Sequence, residues 1–480
     1  MESSKHKIGV FSHTLIYSVG NLISRGLSFI LLPIYSYYIS TQDFGVYSFI
    51  VSVATIISTI LNLGFPSIFI KHISESSSEL EKKRILSNVI SFVIIITLPA
   101  ILITSMFANQ ILILILGDAK YVSEFILGIF SLLVFNYAYY FSSFYIALEE
   151  SKKYLKITSI SAVVNFFLNL ILIVILQSGI NGIFIAQILS SFVLIILATD
   201  VVKNYFRFII EYEFIKKIIS LSYPLLISGI FAILVEVMDR IIIIKFLDES
   251  EAGIYSFGYR VAMIFNLFIL SFKSAWIPHY MRLKQSNATE LDLHIGRVFT
   301  KLVFLSALII LCVEIFIDDL FEWKLFGISI FDSKYSTSQN VVIYVLVGYF
   351  FSLLMGFYSL APYLENKTKH FLYSDLLAFV FNLTLNLILI PRLKIIGAAL
   401  ATLLAFFVAA TYLFVYSRNR VKVKYEKGKV LFVIIISTFI YFLSVNAQNL
   451  LIDLTMMLFF ILSGFYLKIV KKDLRSFRII

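Results

Sequence analysis

Three charged side chains, Glu236, Asp239 and Arg240, sit in the run AILVEVMDRIIIIKF (232–246), which is otherwise almost wholly apolar. Their i, i+3 and i+4 spacing puts them on one face of a helix. Two carboxylates can take up and release a proton or hold a small cation, and a guanidinium can neutralise them. The run 221–244 centres near residue 232. At the helical rise, Glu236 then lies about 5 Å and Arg240 about 11 Å from the centre of a membrane-spanning segment. Arg240 is close enough to an interface to snorkel, whereas Glu236 is not. Two readings stay open: a Glu236–Arg240 pair that fixes packing, and an ion-coupling or gating site made by Glu236, Asp239 and Arg240.

A second polar set lies in HTLIYSVGNLISRGLSF (13–29), which carries His13, Asn21, Ser24 and Arg25 and is too polar to face lipid. Few acidic residues lie in apolar segments to pair with Arg25. A cavity-lining anion site, with Asn21 one turn away, is therefore preferred to a buried ion pair. Arg260 and Lys273 (in 252–281), Glu314 and Asp375 complete the charges at membrane depth. The asparagine pairs Asn165/Asn169 and Asn382/Asn386 read as glue between helices. The aromatic run YYFSSFY (139–145) has the chemistry to stack on sugars, but aromatics make up 16% of the chain, so packing explains it.

Other chemistries have no carrier. There is no G-x-x-x-x-G-K-[ST] phosphate loop, and the six histidines give no H-E-x-x-H spacing. The single cysteine, Cys312, supports neither a disulfide nor a thiolate metal site. No catalytic residue, metal or cofactor is expected.

The elements that must position these groups are membrane helices. The chain of 480 residues is 60% hydrophobic and 14% charged, against about 25% charged for an average soluble domain. With about 20 apolar residues needed per crossing, fourteen segments are read: 11–39, 44–70, 85–107, 122–148, 157–177, 181–202, 218–244, 252–281, 299–317, 338–363, 371–391, 395–416, 430–446 and 452–469. The first is too long for the apolar core of a signal peptide and is expected to stay as a helix. The net charge of +11 is distributed by topology: 30 Lys and Arg lie in the loops and termini of one side and six on the other. That is the positive-inside pattern, with both termini cytoplasmic, and no nucleic-acid partner is implied.

The chain also repeats. DFGVYSF (43–49) matches EAGIYSF (251–257), and NFFLNLILI (165–173) matches NLTLNLILI (382–390), each six helices apart in the same orientation. The expected fold is an all-α polytopic membrane protein of about fourteen transmembrane helices. It holds two pseudo-symmetric six-helix bundles, 1–202 and 218–416, joined by a cytoplasmic linker, 203–217. A basic cytoplasmic loop, 417–429, leads to two further helices and a basic tail, 430–480. Pro33 and Pro224 predict bends in the opening helix of each bundle.

The stretch SVGNLISRGLSFILLPIYSYYISTQDFGVYSF (18–49), with AGIYSFGYRVA (252–262) and Pro278, resembles polysaccharide flippases. These form the O-antigen-repeat branch of the multidrug/oligosaccharidyl-lipid/polysaccharide exporter superfamily. The resemblance spans roughly residues 10–416. It implies two bundles alternating between inward and outward access in the bacterial cytoplasmic membrane. The implied cargo is an undecaprenyl-diphosphate-linked oligosaccharide, with a proton or sodium ion as coupling partner and glycosyltransferases and a polymerase as pathway partners. Arg25 and Arg260 match arginines that line the cationic cavity of the related lipid II flippases, and the expectation is that they hold the diphosphate together. Leu31 and Leu32 stand where those flippases carry Arg-Asp, which argues against a peptidoglycan precursor as cargo. A multidrug or small-solute antiporter of the same fold is the alternative. A membrane glycan polymerase is disfavoured, because the longest external loop, near 318–337, holds no histidine.

Overall fold

In hydrocarbon every peptide N–H and C=O must be satisfied within the chain, and a long Ile/Leu/Phe-rich run does this by becoming a helix. The computed structural model describes residues 10–285, 290–325, 328–447 and 449–469. Almost all of them are helical. The chain divides into two compact units, Met1–Ser256 and Phe257–Ile480.

The first unit contains α1 (Val10–Tyr38), α2 (Thr41–Leu61), α3 (Phe65–Glu75), α4 (Glu79–Met106), α5 (Ala108–Leu116), α6 (Val122–Ala147) and α7 (Ser151–Asn169). α7 continues as a π-helical turn, Leu170–Ile175, and is followed by α8 (Gly179–Leu197), α9 (Thr199–Tyr205), α10 (Tyr212–Phe246) and the start of α11 (Glu249–Ala262). The second unit holds α12 (Ile264–Gln285), α13 (Leu291–Glu322), α14 (Gln339–Tyr358), α15 (Leu360–Leu364), α16 (Lys369–Ser417), α17 (Lys427–Ala447) and α18 (Leu450–Tyr466). A small antiparallel hairpin pairs Lys324–Leu325 with Ile328–Ser329.

Among the described residues, nine helices are long and apolar enough to cross a membrane, or eleven when each bent pair counts as one span. α16 carries two passes, because the chain folds back at Lys394 (φ 53°). α1 and the 17-residue α18 complete the expected fourteen. The predicted segment 44–70 is broken. Gly64 takes a left-handed conformation (φ 71°) that a side chain disfavours, so α2 ends and α3 begins anew. α10 bends by 53° between Tyr212–Tyr223 and Leu226–Phe246; the side chain of Pro224 lies outside the described residues. α1 runs through Pro33 as one helix.

The asparagine pairs do the same work in each unit. Asn169 donates to the Asn165 side chain at 3.1 Å, and Asn165 to Ser190 Oγ on α8 at 3.1 Å. In α16, Asn386 donates to Asn382 at 2.9 Å, and Asn382 to Thr402 Oγ1 at 3.2 Å. A further bond, Tyr35 OH to Asn169 Oδ1 at 2.9 Å, ties α1 to α7.

The segment between α9 and α10 is extended and pinned to a polar stripe of α4. The Arg207 and Ile209 amides donate to Ser87 Oγ and Ser91 Oγ at 2.9 and 3.1 Å. The Glu211 amide donates to Asn88 Oδ1 at 2.6 Å, and Arg84 Nε forks onto the Glu211 carboxylate at 2.8 and 2.9 Å. The Arg84 guanidinium holds the Glu211 carboxyl below its usual range. A lowered folded-state value means that the clip is present at neutral pH and is lost as pH falls through that value. With a hydrogen bond contributing about 1 kcal/mol net, Asn88→Ala should raise tryptic cleavage at Arg207 by roughly fivefold. Unchanged cleavage would show the linker to be held by its apolar neighbours instead.

Candidate functional site

The α10–α11 corner brings the helix-seven charges together. α10 ends at Phe246 and α11 starts at Glu249, with the Asp248 carboxylate accepting from the Glu251 amide at 2.8 Å. The reversal places Tyr255, two turns into α11, beside Asp239, two turns before the end of α10. Asp239 and Tyr255 are fully buried, and Arg240 is 8% exposed. Arg240 Nη1 donates to Asp239 Oδ1 at 2.7 Å, Tyr255 OH donates to Asp239 Oδ2, and the guanidinium carbon lies 5.5 Å from the Tyr255 ring centroid. Arg240 Nη1 also donates to the main-chain oxygen of Glu236.

Both Asp239 oxygens are thus engaged. Arg240 pairs with the Asp239 carboxylate and also bonds the main chain of Glu236, the residue that helical spacing offered as its packing partner. The Glu236 side chain is half-buried. Tyr255 was not singled out from the sequence, although it sits in the repeated motif as the counterpart of Tyr47.

The same motif explains how α2 meets this corner. A Cβ on Gly45 would lie 1.7 Å from the Glu249 carbonyl oxygen, and one on Gly253 would lie 1.9 Å from that of Thr41. These repeat-equivalent glycines let the two backbones touch, and Thr41 Oγ1 and Ser250 Oγ hydrogen-bond at 2.6 Å beside them. No residue with a side chain fits either place without the helices separating.

Arg25 lies in α1, whose buried face (Leu31, Leu32, Tyr35) is turned into the protein. Arg25 itself is exposed, makes no ion pair among the described residues, and is followed by Gly26, with no atom within 4 Å of where its Cβ would be. A guanidinium in a spanning segment is costly against hydrocarbon, so its natural setting is a wetted cleft. Arg260 is half-buried in the last turn of α11. The side chain of Asn21 lies outside the described residues. Lys273 lays its stem against Gly356 of α14, where a Cβ would meet it at 2.8 Å. Glu314 Oε1 is buried with no hydrogen-bond partner among the described residues. No group of three metal-ligating side chains occurs among them.

Residues 10–284 match the sequence profile of the polysaccharide biosynthesis protein family, more than half of the chain. The chain belongs to that family. Similarity to the capsular polysaccharide biosynthesis protein CapF of Staphylococcus aureus accords with this: 21% identity over 413 residues, 83% of this chain and 97% of CapF. Among solved structures, the lipid II flippase MurJ in an inward closed conformation superposes with a TM-score of 0.71 at 17% identity, covering 95% of this chain and 99% of that one. An inward-facing multidrug resistance MATE family transporter superposes at 0.67 with 14% identity, covering 85% and 98%. These likenesses show the fold of this polysaccharide biosynthesis family member, an all-α, multi-pass helix bundle like those of MurJ and the MATE transporter.

Proposed function

We propose that this protein flips an undecaprenyl-diphosphate-linked oligosaccharide repeat unit across the bacterial cytoplasmic membrane. The repeated bundles 1–202 and 218–416 give alternating access, and a proton or sodium ion drives it. Both termini lie in the cytoplasm in this reading, which the positive-inside charge pattern supports. The observation that carries the reading is Arg25, an exposed guanidinium within an apolar helix, in a chain of a polysaccharide biosynthesis family. A lipid diphosphate needs cationic donors at depth, and the planar fork of Arg matches its oxygens. Arg260 is assigned the same role in its own helix, and Asn21 a supporting one. Such a carrier binds and releases its cargo unchanged and catalyses no covalent step.

Reconstituted vesicles test this directly. A fluorescent lipid-diphosphate oligosaccharide, loaded in the inner leaflet, should become accessible to an added glycosidase only when the protein is present. Equal accessibility in protein-free vesicles, or gradient-driven efflux of cationic dyes with no movement of the glycolipid, would overturn the reading. The second outcome would favour a multidrug exporter, which the MATE-like fold also accommodates.

A further inference from the structure

The segment joining α16 to α17 is a strap rather than a slack loop. From Arg418 to Lys429 it carries six basic residues and one acid, Glu426. Exposure alternates along it: Val421, Val423 and Tyr425 are partly buried, whereas Lys422 and Lys424 are exposed. This is the period of an extended chain with one face inward. The inward side chains line a cavity with Trp276, Phe357 and Tyr358, and Tyr425 packs edge-on against Phe299 at 4.9 Å between centroids.

The backbone is fixed as firmly. The Lys424 amide donates to the Asp292 carbonyl at 3.1 Å, and the Lys424 carbonyl oxygen sits 1.9 Å from where a Cβ on Gly296 would be. Only a glycine at 296 lets the strap lie this close to α13. Two of the six cations are used internally. Arg420 pairs with Glu365 at 3.0 Å and lies over the Tyr416 ring at 3.8 Å, and Lys429 pairs with Glu426 at 2.7 Å. Arg418, Lys422, Lys424 and Lys427 are exposed and make no ion pair among the described residues.

Pinning the apolar face therefore turns Lys422 and Lys424 outward, with the exposed cations Lys427, at the start of α17, and Arg418, at the rim of the cavity, flanking them. The strap connects two spanning helices, so it leaves and re-enters the bilayer within a short loop and lies at headgroup level. We propose that this strap is a binding site for anionic phospholipid headgroups of the adjoining leaflet. A basic side chain close to a charged bilayer surface contributes on the order of fivefold in affinity. A random coil would hold these charges equally but would lose its conformational freedom on binding; the strap has already lost it on folding. The inference does not depend on what the transporter carries.

The full-length protein in nanodiscs of phosphatidylcholine with a minor fraction of phosphatidylglycerol supplies the test. Retained phosphatidylglycerol is counted by native mass spectrometry after extraction. The triple change Lys422→Gln/Lys424→Gln/Lys427→Gln should weaken retention on the order of a hundredfold, leaving the thermal midpoint unchanged because the anchoring side chains are intact. A control triple, Lys152→Gln/Lys156→Gln/Lys203→Gln, removes the same charge from exposed positions of the first unit and should retain the lipid. Phosphatidylglycerol should also protect the strap of the unaltered protein from trypsin. Undiminished retention in the strap variant, or an equal loss in the control, would overturn the proposal. Equal protection by tripolyphosphate in pure phosphatidylcholine would overturn it too, by identifying the ligand as a soluble polyanion.

Discussion

Arg25→Ala is expected to abolish glycan export while leaving the amount of protein in the membrane unchanged. Removing one member of a buried ion pair leaves the other charge stranded and destabilises the fold. Arg25 is exposed and has no ion pair among the described residues, so its removal strands no described group. What the proposed function has it lose is the contact with cargo. A charge-assisted hydrogen bond contributes about 1.5–3 kcal/mol, so losing a two-pronged grip weakens binding by at least a hundredfold. Arg25→Lys keeps the charge but not the fork and should rescue only part of the activity. Arg260→Ala should also stop export. The readouts are surface glycan, membrane abundance and accumulation of the undecaprenyl-linked repeat on the cytoplasmic face. Normal abundance with normal export in both Ala variants would remove the arginines from the diphosphate site.

The membrane helices were legible in the sequence because the thickness of hydrocarbon is written into the length of each apolar run. The same is true of the asparagine pairs, since an i, i+4 amide pair in an apolar helix has few places to bond except a neighbour. The break at Gly64 escaped the reading because hydropathy stays high across it while the conformation changes over two residues, Leu63 (φ 50°) and Gly64 (φ 71°). The site was legible as a set of residues but not as a set of bonds. Helical spacing pairs Glu236 with Arg240 and cannot show Tyr255, which reaches Asp239 only because the chain reverses between Phe246 and Glu249. Likewise, the repeated Gly-x-Tyr motif was visible as a duplication, whereas the contact between its two glycines needs the folded helices. Which face of α1 carries Arg25 out of the packed interior also depends on where α7 lies.

The helix-seven charges should then separate into two kinds. Asp239 is fully buried and accepts from both Arg240 and Tyr255, so its charge is compensated where it stands. Asp239→Ala or Arg240→Ala leaves the remaining charge without its ion-pair counterpart in a low-dielectric interior, with an expected loss of about 3–5 kcal/mol. Each should lower the thermal midpoint in detergent and the amount of protein recovered, and the double Ala variant should recover part of the loss. The Glu236 main-chain oxygen accepts from Arg240 and survives any side-chain change. Glu236→Gln keeps that bond and the shape of the side chain, so the midpoint should stay close to that of the unaltered protein. A carboxyl at this depth that alternates between proton or cation bound and free is the coupling device proposed for the flippase. In that case Glu236→Gln transports without responding to the imposed gradient, and Asp239→Asn fails first in stability. Vesicles with a set proton or sodium gradient distinguish the two. Full gradient dependence in both Glu236→Gln and Asp239→Asn would leave the whole helix-seven set with a packing role alone.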